Sequence, residues 1–138
     1  MLKVLTVDDD EVTQFHVSQL LLELGRSRMA YSGEEALARV EESLAGGEAY
    51  DLILMDVILP GLDGLATVRE IVTRFNEQKV PLENRPKIVM LSSVDERDTQ
   101  IDALYACGAD YYLTKPLENE RFIQALCEMG LVIPRTPK

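Results

Sequence analysis

The sequence predicts an α/β domain with a doubly wound, five-stranded parallel sheet and five helices, and three observations lead there. Short apolar runs alternate with amphipathic stretches five times along the chain. The run Leu52-Ile53-Leu54-Met55 is apolar without interruption, as expected of a central parallel strand covered on both faces. The polar residues with the richest chemistry follow directly after these runs, where open parallel sheets form their functional crevice.

The elements follow in order. Leu2 to Val7 reads as a buried strand that stops at Asp8-Asp9-Asp10. A first helix spans Glu11 to Leu24, with Val17, Leu20, Leu21 and Leu24 on one stripe and Gly25 in the position of a C-terminal cap. Arg28 to Tyr31 is a weak second strand. Ser32 is placed to cap a second helix that carries Glu34 and Glu35 at its positive end and runs to about Leu44. The third strand ends at Asp56, and Pro60-Gly61 and Asp63-Gly64 mark a loop before a third helix from about Leu65. Lys87 to Leu91 forms a fourth strand ending at Ser92-Ser93, followed by a helix over about Glu96 to Cys107. Tyr111 to Thr114 forms a fifth strand ending at Lys115-Pro116, and a last helix covers Glu118 to Met129. One domain is expected over residues 1–130, with a short tail over 131–138 and no output domain.

Composition excludes several classes. A chain of 138 residues with 46% hydrophobic and 28% charged residues is long and apolar enough for its own core. A net charge of -10 opposes direct binding to nucleic acid or anionic lipid. No apolar stretch approaches the roughly 20 residues of a membrane span and no signal pattern opens the chain, so no membrane insertion and a cytoplasmic location are expected. Cys107 and Cys127 have no metal or redox spacing and read as buried or half-buried filler.

With strands 1, 3, 4 and 5 ending in Asp8-Asp9, Asp56, Ser92 and Lys115, one sheet edge collects three carboxylates, a hydroxyl and an ammonium. Such carboxylates repel one another unless a proton or a cation intervenes. An oxygen-only donor set without His or Cys favours Mg²⁺ over zinc.

These features, together with the run Leu54-Met55-Asp56-Val57-Ile58-Leu59-Pro60-Gly61-Leu62-Asp63-Gly64 and the pair Lys115-Pro116, resemble the receiver domains of response regulators in two-component signalling. The likeness covers Leu2 to about Met129. It implies a stand-alone CheY-like, flavodoxin-like fold with strand order 2-1-3-4-5. It also implies that Asp56 accepts a phosphoryl group from a sensor histidine kinase or histidine phosphotransfer protein. Asp9, Asp56 and the Ile58 backbone carbonyl would bind Mg²⁺ directly, and Asp8 through a water. Lys115 and Ser92 would contact phosphoryl oxygens. Ser92 and Tyr112 would form a switch that remodels the face of helix 4, strand 5 and helix 5, which is open to a downstream target protein or a homodimer. Pro116 would follow a cis peptide that aims Lys115 into the site. The domain would catalyse only its own phosphoryl transfer and dephosphorylation and would not be an enzyme on a separate metabolite.

The sequence departs from the family pattern in carrying Ser rather than the commoner Thr at 92, and in carrying the bulky, apolar Ile58 two residues after the acceptor, a position that the resemblance implies tunes the dephosphorylation rate. The stretch from 73 to 85 is longer than usual and reads as a lengthened helix, a surface loop or a partner contact. Asp10 is better read as a helix cap than as a ligand. His16 is read as a packing residue, and Tyr111 as structural. Val12, Phe15 and Leu22 lie off the stripe of helix 1, either as isolated exposed apolar residues or as a phosphodonor contact. A phosphatase of the haloacid dehalogenase type would need a second acid at position 58. A flavodoxin-like cofactor binder would need Ser, Thr and Gly where Asp8-Asp9-Asp10 stand. A third alternative keeps the fold as a scaffold without phosphorylation.

Overall fold

The structure, a computed structural model, describes residues 2–92 and 108–131. Ser93, the helix expected over about Glu96 to Cys107, and the tail beyond Leu131 lie outside the described residues. Five strands, β1 (Leu2–Val7), β2 (Gly25–Ala30), β3 (Leu52–Asp56), β4 (Lys87–Ser92) and β5 (Tyr111–Thr114), form one parallel sheet in the order β2-β1-β3-β4-β5. The helices are α1 (Glu11–Leu21), α2 (Gly33–Leu44), α3 (Gly64–Glu77) and the C-terminal α4 (Asn119–Glu128), with a 3₁₀ turn at Leu82–Asn84.

Successive strand residues point to opposite faces, so each strand contributes to two cores. Leu5, Val7, Ile53, Met55, Ile88 and Met90 pack with Val40 of α2 and with Val68, Ile71 and Phe75 of α3. Their neighbours Val4, Leu52, Leu54, Val89 and Leu91 pack on the other face with Val17 and Leu21 of α1 and with Phe122 and Leu126 of α4. All five residues of β3 are therefore buried, which is why that strand shows no alternation in sequence.

The structure moves several predicted boundaries. Helix 1 ends at Leu21, with Leu22 in the capping position, and Gly25 is not its cap but the first residue of β2. A side chain at Gly25 would collide with the backbone of Leu2, its partner in register. Strand 2 thus begins three residues before Arg28. Its first half escapes hydrophobic reading because Arg26, Ser27 and Arg28 lie exposed on the sheet edge. Asp63-Gly64 is more than a turn: Asp63 caps α3 by accepting from the Ala66 N–H at 2.8 Å. Ser32 caps α2 as expected, its hydroxyl oxygen accepting from the Glu35 N–H at 3.0 Å.

The long link resolves into a helix that persists to Glu77 followed by a fastened loop. Lys79 turns the chain with φ 55°, and Arg85 donates to the Val80 carbonyl at 2.9 Å and to the Asn76 side chain at 3.0 Å. Its guanidinium also lies 5.7 Å from the centroid of the Phe75 ring, within cation–π range. Among the described residues no helix is long and apolar enough to cross a membrane. Cys127 is free and half-buried, as expected of filler.

Phe122 is fully enclosed, whereas Leu82 is 78% exposed. In urea denaturation Phe122→Ala is expected to lose about 3–5 kcal/mol through its cavity. Leu82→Ala should stay within about 0.5 kcal/mol of the parent.

Candidate functional site

Strands β1 and β3 are neighbours at the centre of the sheet, so the residues that end them meet beyond its carboxyl edge. Asp8 follows β1 and is fully buried, Asp9 beside it is exposed, and Asp56 ends β3 with 5% of its surface accessible. One carboxylate oxygen from each of the three lies within 4.8 Å of the others. Lys115, just after β5, reaches across: its ammonium donates to Asp8 Oδ2 at 3.1 Å and stands 3.1 Å from Asp56 Oδ1.

The backbone holds these groups in place. Asp8 Oδ1 accepts from the Asp10 N–H at 2.9 Å, and Asp56 Oδ1 from the Ile58 N–H at 3.4 Å. The Lys115 N–H donates to the Ser92 carbonyl at 2.7 Å, and the Lys115–Pro116 peptide is cis. Gly64 lies against the Asp56 carbonyl so closely that a Cβ would overlap it. The start of α3 therefore packs directly against the backbone of the central acid.

Ser92 is buried, and its hydroxyl has no hydrogen-bond partner among the described residues. A donor left unmade in this way costs free energy until something accepts from it. Tyr112 does not join the acid cluster. It is half-buried two residues before the end of β5, in register with Met90 and packed against the core shared by α2 and α3. The Ile58 side chain is 54% exposed. Asp10 caps α1, accepting from the N–H groups of Val12 and Thr13, each at 3.3 Å. His16 bonds through Nε2 to the Leu117 carbonyl at 2.9 Å, which joins α1 to the segment after Pro116.

Gln14, not among the candidate residues read from the sequence, underpins the pocket. Its buried amide donates to the carbonyls of Thr6, Asp8 and Ala30 at 3.1, 3.1 and 2.9 Å, tying the ends of β1 and β2 to α1. The signal was there: Gln14 stands three residues before Val17 and seven before Leu21, a polar residue inside the buried stripe.

Electrostatics follow from this crowding. Burial, and next the charge of Asp8, raise the Asp56 pKa from 3.8 to about 6 against the pull of Lys115. Burial disfavours the Lys115 ammonium, but Asp56 and Asp8 outweigh it and raise its pKa. The donor set is all oxygen, with two buried acids fixed by hydrogen bonds and an exposed third. That set fits a hard divalent cation, whose charge would relieve the repulsion between Asp8 and Asp56.

A doubly wound sheet that brings an acid cluster and one lysine together at its carboxyl edge defines a class of phosphate-handling α/β domains. Residues 4–127 match the response regulator receiver domain family, and the chain belongs to it, a phosphorylation-controlled switch of two-component signalling. It is 36% identical over 125 residues to the transcriptional regulatory protein ZraR of Salmonella typhimurium, a match over 89% of this chain and 25% of that protein. Its fold matches the chemotaxis protein CheY4 of Vibrio cholerae with a TM-score of 0.75 at 28% identity, covering 93% of this chain and 98% of that one. The receiver domain of NtrX from Brucella abortus gives 0.73 at 29% identity, over 93% and 97%. The chain spans less than half the length of ZraR and of the transcriptional regulatory protein AruR of Pseudomonas aeruginosa, which it covers by 25% and 46%.

Because the folded protein holds the Asp56 proton more tightly than the unfolded chain does, its contribution to stability falls as pH rises from about 4 to 6. The raised pKa corresponds to roughly 3 kcal/mol of disfavoured ionisation at neutral pH. Metal-free Asp56→Asn is therefore expected to be more stable than the parent at pH 7.5, with the gain shrinking toward pH 4, as read by urea denaturation. Gln14→Leu should lose about 2–4 kcal/mol in the same assay by removing the side-chain donor that the Thr6, Asp8 and Ala30 carbonyls share.

Proposed function

We propose that Asp56 accepts a phosphoryl group from a phosphohistidine. An Asp56 carboxylate oxygen forms the bond to phosphorus as the phosphorus–nitrogen bond breaks, and the imidazole departs with that electron pair. The observation that carries this reading is the Lys115 ammonium held 3.1 Å from both Asp8 and Asp56, in a cluster of three carboxylates. A fixed cation there can stabilise charge on transferring oxygens without forming a bond to them. Lys115 exchanges a carboxylate contact for a phosphoryl oxygen, and the unpartnered Ser92 hydroxyl donates to another.

Asp9, Asp56 and the Ile58 carbonyl would hold Mg²⁺ directly, with Asp8 contributing through a water. When bound, the ion supplies positive charge that offsets the carboxylates and the incoming phosphoryl oxygens. The half-buried Tyr112 on β5 moves inward as Ser92 shifts toward the phosphoryl group, so a charge change of about -2 becomes a change of surface. The domain catalyses its own phosphorylation and dephosphorylation and acts on no separate metabolite. Ile58 in place of an acid argues against phosphatase turnover, and Asp8-Asp9-Asp10 against a flavin phosphate.

On the donor side, Val12, Phe15 and Leu22 of α1 and its cap are 74%, 65% and 65% exposed. Val12 and Phe15, in the first turns of α1 after the acid pair, with Leu22 at the far end of the same helix, suit docking of the histidine kinase or phosphotransfer protein. The output is a contact with a downstream target protein, or a homodimer, through the face that includes β5 and α4, in the cytoplasm.

Incubation with Mg²⁺ and acetyl phosphate, read by intact mass, is expected to yield one phosphoryl adduct. The adduct should disappear with chelator and in Asp56→Asn. An adduct that persists in Asp56→Asn would refute the assignment of the acceptor. Phe15→Ala is expected to slow transfer from the cognate phosphohistidine protein while leaving the acetyl phosphate reaction unchanged.

A further inference from the structure

A second charged site lies at the other end of the sheet. Lys3 and Arg26, partners in register at the start of β1 and β2, meet Arg28 of β2 and Arg39 of α2 around a cleft of about 370 Å³. Lys3 and Asp8 are five strand steps apart, which puts this cleft roughly 17 Å from the acid pocket. In a chain of net charge -10, four cations here face only Glu42 and Glu48.

The ion pairs within the cleft face solvent on their acidic side, and Lys3 also donates to the Glu48 carbonyl at 3.3 Å. Lys3 lies 3.1 Å from Glu48, while Arg39 and Arg28 lie 3.4 and 3.9 Å from the one carboxylate of Glu42. The Glu42 and Glu48 side chains are 60% and 72% exposed, against 24% for Lys3 and 31% for Arg39. Lys3 and Arg39 are thus the more enclosed members of their pairs, while Arg26 and Arg28 are exposed, and the carboxylates can swing into water at little cost, since exposed pairs contribute little. Arg26 has no ion pair among the described residues, and the buried Nε of Arg39 has no acceptor among them. Positive charge on an edge strand discourages edge pairing, which accounts for Arg26 and Arg28. It does not account for Lys3 and Arg39, which arrive from other elements.

We propose that this cleft binds a small organic or inorganic phosphate carrying at least two negative charges, which displaces Glu42 and Glu48 as the counter-ion. Cations from three elements converge from different directions, an arrangement matched to a tetrahedral oxyanion rather than to a planar carboxylate held in one guanidinium fork. The volume falls at the lower end of small-ligand sites and is too small for a folded partner. The site is separate from Asp56, so it stands or falls independently of the phosphoacceptor reading.

The test uses the full chain, free of divalent ions, titrated with pyrophosphate at physiological salt and followed by amide chemical shifts. Saturable shifts centred on Lys3, Arg26, Arg28 and Arg39 are expected, unchanged in Asp56→Asn. Arg26→Gln alters an exposed residue with no close ion pair to lose and should weaken binding about tenfold, as should Arg39→Gln. The proposal is overturned by shifts that fail to saturate by about 10 mM, well beyond a millimolar Kd. It is equally overturned by saturable shifts centred on Asp8 and Asp56, by equal binding in Arg26→Gln and Arg39→Gln, or by a matching response to citrate.

Discussion

The structure turns on a charge balance between two buried acids and one lysine. Asp8 and Asp56 stand at the ends of adjacent strands, and in so enclosed a place their charges repel each other. Lys115 offsets part of that repulsion by standing between them, but one ammonium cannot neutralise three carboxylates, and burial followed by the charge of Asp8 keeps the Asp56 pKa raised. The pocket is therefore left short of positive charge by construction. Its all-oxygen donor set fits a hard divalent cation, whose charge would make up that shortfall.

The rest of the fold serves that imbalance by making the pocket rigid. Strand residues divide between two cores, so the central strands are clamped from both faces and their ends have little freedom. Gln14 pins β1 and β2 together from beneath Asp8, and α3 starts in contact with the Asp56 backbone because Gly64 carries no side chain. Charges that repel can be kept at short range only by a scaffold that does not relax, and preorganisation of this kind lets fixed groups act on a reacting one.

Much of this was legible in the sequence, for a physical reason. In a parallel sheet the apolar run and the reactive residue are consecutive, so Asp8, Asp9, Asp56, Ser92 and Lys115 could each be placed at a strand end. What escaped was what depends on edges and on polar residues facing inward. β2 lies at the margin of the sheet, where Arg26 and Arg28 satisfy the backbone geometry without an apolar pattern, so its start was read three residues late. Gly25 was read as a helix cap because glycine commonly ends helices, whereas here its role is to admit the Leu2 backbone. Gln14 was passed over because amide side chains on helices are usually exposed, although its place in the apolar stripe marked it. The fourth predicted helix and Ser93 fall outside the described residues.

Asp8 and Lys115 are 107 positions apart, and β1 cannot pair with β3 before residue 55 exists. During synthesis the first acid of the pocket emerges well before the lysine that stands beside it. Closing so long a loop brings no reward until the intervening strands have docked, which makes the last steps of assembly cooperative. A nascent or partly unravelled chain thus carries the acceptor without its cationic partner. Competence to receive a signal is in this way a proofreading of the finished fold.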